Sequence, residues 1–431
     1  MLDFKKISVF GVLFAGLSVW GAGFGLYEMD AKSTGMGGHV VGTPFNASAV
    51  YYNPAGMSCL TGTCINVNCV MLYPPIPYRV WGGGYRETDG RIDPGAFVFP
   101  TIFVTQELPW GLHLGLGFYA DFGLGSQYDD NWDLKYDSVR SDFEGYTFNP
   151  AISWKIPGVE GLSVAGGIRF TFVNFETESV HDFNLAKYGI ADGNYGLNRL
   201  NLAADNARGL GIGWNAGVRY ELTDDVSLGL MYRSTLRTKI QGEATWNGPA
   251  TMGEHHNDLE DAMTLPQQVT LGFNWKNFCV KDLQIGMSAS YIGWSVMEHY
   301  VFDVYNPLYG TTDRQSLDLN WRDTIRIGFG LDYEITDNWE ALIGYNFDKD
   351  PSSDSEGNAH TMLPPGDRHV IAFGVAWHTA DRRWELAFTY APIIMQHSCA
   401  AFRDEWSGRR RYMDTTASCT HCACVGVTYR F

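Results

Sequence analysis

The chain has 431 residues and a formal net charge of −17, a balance that argues against a nucleic-acid partner because phosphate would be repelled. Aromatic residues make up 14%, charged residues only 18%, and there are 49 glycines. This is not the profile of a multidomain soluble protein of that length. It suits a sheet whose outer face meets lipid and whose rims carry aromatic girdles.

In chain order, Lys5 and Lys6 precede an apolar run over 7–20, and the small residues Gly21, Ala22 and Gly23 follow. This is the pattern of a secretory signal, with cleavage expected near Gly21 or Ala22 and residues 1–22 removed. A membrane-anchoring helix is the alternative, but the run is short for about 30 Å of hydrocarbon. No cysteine follows the cut, which disfavours a lipoprotein, and no later run has about 18 apolar residues. Residues 23–62 do not alternate and are rich in small residues, among them Gly35, Gly37 and Gly38.

From residue 63 the dominant signal is a period of two. Leu210, Ile212, Trp214, Ala216, Val218, Tyr220 and Leu222 alternate with Gly211, Gly213, Asn215, Gly217, Arg219 and Glu221. The alternation outlasts the usual globular strand of about 5–6 residues and meets the length a tilted transmembrane strand needs. The same rhythm recurs in 162–172, 226–233, 268–275, 325–334 and 383–390. Short connections at 108–111, 157–161, 223–225, 276–282, 336–338 and 379–382 alternate with long polar ones at 176–208, 239–265, 296–318 and 348–368. Short turns on one side and long loops on the other are the outer-membrane arrangement. The reading is an all-β transmembrane antiparallel barrel of about 14 strands. They fall near 64–73, 95–107, 111–122, 143–156, 162–175, 209–222, 226–238, 266–276, 283–293, 319–334, 339–347, 368–379, 383–395 and 421–431. The last of these alternates from Val425 to the terminal Phe431, as a signal read by the barrel assembly machinery would.

The segment before the first strand carries Gly23, Phe24, Gly25, Leu26, Tyr27, Glu28 and then Asn53, Pro54, Ala55. It resembles the FadL family of outer-membrane long-chain fatty-acid transporters, which includes aromatic-hydrocarbon transporters. In that family a Gly-Phe-x-Leu-x-Glu stretch opens the mature chain and an Asn-Pro-Ala motif lies in a small hatch plugging the barrel. The Ala-Asp-Asp often found before that motif is replaced here by Phe45, Asn46, Ala47 and Ser48. Further stretches resemble the family in order and spacing. They are Phe122 to Ser126, Leu265–Pro266, Tyr291 to Ser295, Asn320 to Thr324 and Leu363 to His369.

The resemblance implies a signal peptide over 1–22, a hatch over 23–62 and a barrel over 63–431. It implies a non-enzymatic, monomeric protein of the bacterial outer membrane, embedded among its lipids and lipopolysaccharide. The implied cargo is a long-chain fatty acid or another hydrophobic ligand, moving by passive diffusion and leaving sideways into the bilayer. Sideways exit needs a local break in the ladder, and the resemblance places it at Phe122 and Gly123, where a glycine relaxes the backbone. The alternative there is a strand simply ending in a loop. Phe24 and Leu26 are expected either to touch ligand or to pack as hatch core. A buried carboxylate head favours a cationic partner. The inward phase offers Arg169 and Arg219 together with Arg322 and Arg326, the last two placed first by resemblance, although most such residues pair with lumen acids such as Glu221, Asp332 and Glu334.

Eight cysteines are unusual for a barrel: Cys59, Cys64, Cys69, Cys279, Cys399, Cys419, Cys422 and Cys424. An oxidising compartment permits disulfides, with Cys399 to Cys419 or Cys422 and Cys59 to Cys64 among the options. The cluster at Cys419, His421, Cys422 and Cys424 sits partly in a strand whose neighbours face opposite ways, which disfavours a metal; the loop acids Asp129, Asp130, Asp350 and Asp354 read as solvated. No cofactor and no catalytic residue are expected. The other functional classes are a surface barrel acting as adhesin or phage receptor, an outer-membrane lipid hydrolase, for which no Ser–His pair stands out, and a polar porin, which a plug disfavours.

Overall fold

The computed structural model describes residues 23–431 except 84–85, 130–131, 135–137, 183–198, 248–253, 298, 307–310, 319, 353–365 and 404–409. The export segment, Asp130, Asp354 and Leu363 to Pro365 therefore lie outside the described residues.

Fourteen antiparallel strands close into a ring. They are β1 (Thr63–Tyr73), β2 (Phe97–Glu107), β3 (Leu112–Gln127), β4 (Arg140–Lys155), β5 (Leu162–Asp182), β6 (Arg199–Glu221) and β7 (Val226–Arg233). The second half comprises β8 (Gln268–Trp275), β9 (Leu283–Ile292), β10 (Thr324–Thr336), β11 (Trp339–Asp348), β12 (Arg368–His378), β13 (Trp384–Met395) and β14 (Ser418–Arg430). Each strand pairs with its neighbour in sequence, and β1 closes the ring on β14 from Cys64↔Arg430 to Tyr73↔His421. Closure matters because an unpaired amide in hydrocarbon costs several kcal/mol. Among the described residues no helix is long and apolar enough to cross a membrane; the chain crosses with strands.

The apolar phase points outward. Leu210, Ile212 and Trp214 on β6 and Trp384, Leu386 and Phe388 on β13 are exposed, whereas Glu385, Ala387 and Thr389 are buried in the lumen. The short turns lie where the sequence places them. One of them uses Gly158 (φ 81) and Gly161 (φ 78) for left-handed backbone.

The long connections are more ordered than their polarity suggests. The strand expected over 226–238 stops at Arg233. The chain then forms a hairpin, Leu236–Asn247 with Glu254–Leu265, docked on the upper part of β6. His299–Asn306 pairs with Thr311–Asp318. Ser398–Arg403, Arg410–Thr415, Ile76–Gly82 and Thr88–Ile92 make a separate four-stranded sheet over the long-loop end. It has its own core of Ile76, Tyr78, Val80, Ile92, Trp132 and Met413. In Ile76–Gly82 the buried Ile76, Tyr78 and Val80 alternate with exposed Pro77, Arg79 and Trp81, so a period of two is present there but spans only a few residues. All eight cysteines are free thiols; Cys64, Cys422 and Cys424 are buried.

Residues 23–60 lie inside the ring. Two short helices, α1 (Ala31–Gly35) and α2 (Ala49–Tyr52), are followed by a 3-10 turn, Pro54–Cys59. Asp30 caps α1, accepting from the Ser33 N–H at 2.9 Å, which satisfies a donor the helix start leaves free. Wall glycines on the lumen face let the segment come close. A Cβ built on Gly229 of β7 would stand 2.1 Å from the Val41 carbonyl oxygen, and one on Gly286 of β9 2.0 Å from that of His39. On Gly330 of β10 it would stand 2.3 Å from the Met36 oxygen, and on Gly344 of β11 2.3 Å from the Gly37 nitrogen. Gly330 pairs with both Gly286 and Gly344, so the seat is continuous across these strands. Glycine weakens a strand interior and persists here because another backbone approaches.

Replacing Gly286 with Val should push residues 36–42 off the wall at a cost of about 1–3 kcal/mol, leaving the ring intact. The check is planar-bilayer conductance of the folded protein: current should appear where the parent barrel is nearly silent. A barrel as silent as the parent would contradict the close-contact account.

Candidate functional site

Among the described residues the ladder breaks beside a cavity, between β2 and β3. β2 pairs with β1 as far as Leu72↔Phe97, but with β3 only from Glu107↔His113 to Ile102↔Phe118. Above that, β3 continues to Gln127 paired with β4 alone. Two local features explain the separation. Pro100 on β2 has no N–H to offer a ladder. On β3 the register with β4 jumps from Ala120↔Tyr146 to Phe122↔Gly145, so Asp121 is an extra, bulged residue. A bulge bends its strand and increases its twist.

Residues 24–26 take up the freed edge of β3. The Leu26 N–H donates to the Asp121 carbonyl at 3.1 Å, and the Gly123 N–H donates to the Phe24 carbonyl at 3.1 Å. Gly25 and Phe122 form an isolated antiparallel bridge. This strap is held from behind by α2: the Tyr51 hydroxyl donates to the Leu26 carbonyl at 2.8 Å and the Tyr52 hydroxyl to the Tyr27 carbonyl at 3.0 Å. Phe24 is fully buried, its ring 5.2 Å from Phe143, 5.0 Å from Trp294 and 5.6 Å from Phe122.

A cavity of about 860 Å³, mouth included, lies on one side of the strap. Phe24, Leu26, Phe97, Phe122, Phe143 and Ile393 form its apolar lining, and Val98, lipid-facing on β2, stands at its edge. Glu28, Glu144 and Arg368 supply charge. A smaller cavity of about 330 Å³ lies on the other side, bordered by Leu26, Phe122, Trp294, Asp121, Arg169 and Arg233. Arg169 is paired with Asp121. Arg233 stands 3.7 Å from the same carboxylate, stacks 3.8 Å from the Tyr51 ring centre and donates to the Tyr51 carbonyl at 2.5 Å.

The structure distributes the residues singled out from sequence. Phe24 and Leu26 line the large cavity, and Phe122 and Gly123 border it at the gap. Asn53, Pro54 and Ala55 line neither cavity. Asn53 instead donates to the Val41 carbonyl at 2.8 Å and the Val218 carbonyl at 3.2 Å, and its side-chain oxygen accepts from Ala55 at 3.1 Å. These bonds tie hatch to wall. Arg219 does the same, donating to the Gly42 carbonyl at 2.7 Å and to Glu221 at 2.6 Å. Arg326 packs 3.3 Å from the Tyr27 ring centre and lines neither cavity; Arg322 is exposed. Arg169 alone of the four borders a cavity. Asp121, Arg233 and Trp294 were not singled out. The inward phase of β7 marks Arg233, and an acid in an otherwise apolar run marks Asp121.

At the short-turn end, α1 is held by charge. Lys32 is buried against Glu340 and 3.5 Å from Glu385, which also meets Arg430 at 3.2 Å. Burial opposes the Lys32 charge, but Glu385, Asp332 and Glu340 outweigh it and hold its pKa above the usual value. Burial, reinforced by the Arg326 guanidinium, pushes His39 down to about 3. The neutral ring bridges Ser288 at 2.6 Å and the Tyr345 carbonyl at 3.0 Å. Among the described residues no group of His, Cys, Asp and Glu is arranged to hold a metal ion.

A plugged ring with an apolar cavity beside a gap in its wall is the architecture of an outer-membrane barrel that passes hydrophobic compounds. Residues 12–431 match the family described as outer membrane protein transport protein (OMPP1/FadL/TodX), and the chain belongs to that family. It is 23% identical to an outer membrane protein of Neisseria meningitidis, covering 90% of each chain. It is 23% identical to the long-chain fatty acid transport protein of Salmonella typhi, covering 86% of this chain and 88% of that one. Its fold is similar to a FadL homologue of Pseudomonas aeruginosa (TM-score 0.81, 18% identity, 95% and 99% covered). It is also similar to the Pseudomonas putida toluene transporter TodX (TM-score 0.68, 16% identity, 93% and 98% covered).

A Cβ at Gly123 would stand 2.7 Å from the Leu26 side chain. Gly123→Ile should therefore crowd the strap and the gap, and slow uptake of hydrophobic compounds by about tenfold, a barrier of about 1.4 kcal/mol. Uptake by cells is measured beside gel migration of the folded barrel. Parental uptake from a folded variant would remove the gap from the route.

Proposed function

We propose that the cargo is a long-chain fatty acid, captured at the long-loop end, passed into the large cavity and released through the gap between β2 and β3. The observation that carries this reading is an apolar cavity open toward lipid at a missing stretch of ladder, beside arginines that outnumber their acid. In this reading Phe24 and Leu26 touch the chain, Phe122 and Gly123 frame the exit, and Asn53, Pro54 and Ala55 keep the hatch seated. A charged head in an apolar site needs a cationic partner. Of the arginines singled out from sequence, Arg169, with Arg233 beside it, is the candidate nearest the cavities, ahead of Arg326, Arg219 and Arg322. The names of relatives from Salmonella typhi and Escherichia coli, long-chain fatty acid transport proteins, support the same cargo.

An aromatic hydrocarbon is the second reading. It is favoured by the ring cluster of Phe24, Phe143, Trp294 and Trp321 and by the fold shared with a toluene transporter. A neutral ring has no use for buried guanidinium groups, which places the fatty acid first. Expression in cells lacking their own transporter, with labelled oleate set against toluene, separates the two. Oleate uptake should exceed the empty-vector level and toluene uptake should not. Toluene alone would favour the hydrocarbon reading, and uptake of neither would leave a surface barrel serving as adhesin or phage receptor.

A further inference from the structure

The gap between β2 and β3 has two unlike lips. On β2 the lip is Val98, exposed and apolar, with Met71 of β1 as its cross-strand partner. On the other side the wall is β3 paired with β4, and there Gly123 stands opposite Glu144. Glu144 is exposed on the outward phase of β4 and also lines the large cavity. It therefore belongs to both the cavity and the outer surface, and Gly123 has no side chain to screen it. The neighbours fix its height. Toward the short-turn end, Tyr146 stacks on Phe118 of β3 with ring centroids 5.8 Å apart, and Phe148 follows, exposed. Toward the long-loop end comes Asp142, cross-strand from Glu176 of β5, and Arg140 holds both, at 2.6 and 3.3 Å. A step from aromatic to ionic side chains marks a membrane–water interface, so the gap lies at headgroup level. Arg140 is engaged by Asp142 and Glu176, and among the described residues no cation is paired with Glu144. The other charges at the cavity are Glu28 and Arg368, and Arg368 is paired with Asp348 at 3.0 Å. An ionised head crossing this lip meets a carboxylate with no cation to offset it. Two carboxylates in contact disfavour double ionisation, and one shared proton relieves the pair. An unpaired carboxylate entering hydrocarbon is costly in any case.

We propose that Glu144 determines the specificity of the exit, and that it passes an acid only together with a proton. The head of the cargo takes one proton from water on reaching the lip and donates a hydrogen bond to the ionised Glu144. It returns the proton to interfacial water once its tail lies in the bilayer, and Glu144 ends as it began. An ionised head is repelled, whereas a neutral hydrophobe passes without regard to this residue. The cargo half of this inference rests on the fatty-acid reading above; the place of Glu144 rests on the register at the gap.

Glu144→Gln keeps the shape of the side chain and removes its charge. Proteoliposomes carrying the parent, Glu144→Gln or Glu176→Gln are compared by the rate at which labelled oleate and oleyl alcohol enter their bilayer, above the rate for empty liposomes. At about pH 4, where carboxyl groups are largely protonated, the parent and Glu144→Gln should agree. Rising pH should slow oleate in the parent, and at about pH 9 Glu144→Gln should outpace it about tenfold. The alcohol should respond neither to pH nor to the substitution. Glu176→Gln, one outward position higher and away from the cavity, should follow the parent. Parallel oleate profiles in parent and Glu144→Gln, an equal shift with the alcohol, or an equal shift in Glu176→Gln would overturn the proposal. Should Glu144→Gln fail to assemble, Glu144→Ser carries the same expectation. Should the parent pass toluene and no oleate, the fatty-acid reading fails, and the lip is read with toluate against toluene. Toluate entry at about pH 9 through Glu144→Gln but not through the parent would then still support it, and exclusion by both would overturn it. Entry of neither oleate nor toluene would remove both readings.

Discussion

Everything in this barrel depends on keeping backbone amides bonded inside hydrocarbon. The constraint forces closure, which β1 and β14 provide. The proposed sideways exit demands the opposite, a stretch of wall with no ladder. The chain reconciles the two by supplying a substitute partner: residues 24–26 bond the edge of β3 that β2 abandons. Pro100 reduces the donors that β2 would leave orphaned, and the Asp121 bulge turns β3 away. The strap is thus both a hydrogen-bond donor and acceptor for the wall and the floor of the cavity.

Strap and hatch are fastened by different forces. The body of the hatch lies backbone to backbone along wall glycines and is pinned by Lys32, Asn53 and Arg219. Moving it would break buried ion pairs and open voids together. The strap is held by four hydrogen bonds already named, two to β3 and two from Tyr51 and Tyr52, and by the Phe24 ring packed on Phe122, Phe143 and Trp294. Local opening favours segments with few buried ties. The strap is therefore the part that can shift while the hatch stays seated.

The ring was legible in sequence because one face of each strand meets lipid and the other meets the lumen. The alternation of 210–222 and the turns around 157–161 and 379–382 come directly from that. The four-stranded sheet over the long-loop end was not legible, since its strands are short and their alternation, as in Ile76–Gly82, spans only a few residues. The lumen phase correctly put Arg169 and Arg219 inside, but phase alone cannot tell a hatch tie from a cavity wall. Arg219 grips the Gly42 carbonyl, while Arg169 faces open space. That difference is set by where the hatch chain happens to run. The bulge at Asp121 was hidden for a similar reason: it exists only in the register between β3 and β4.

The position of the charges also bears on the direction of travel. Lys32, Glu340, Glu385, His378 and Arg430 gather at the short-turn end, all but Arg430 deeply buried. An apolar chain moving straight along the barrel axis would have to part these pairs and leave charges uncompensated in a dry interior, which costs several kcal/mol. The lateral gap presents Val98, Phe97 and Phe122 instead, with the strap as the obstacle. The axial path asks for broken ion pairs and the lateral path for a few hydrogen bonds and the shift of one apolar ring, Phe24. For the proposed route, the ionic cluster beneath the hatch is what makes the wall the easier way out.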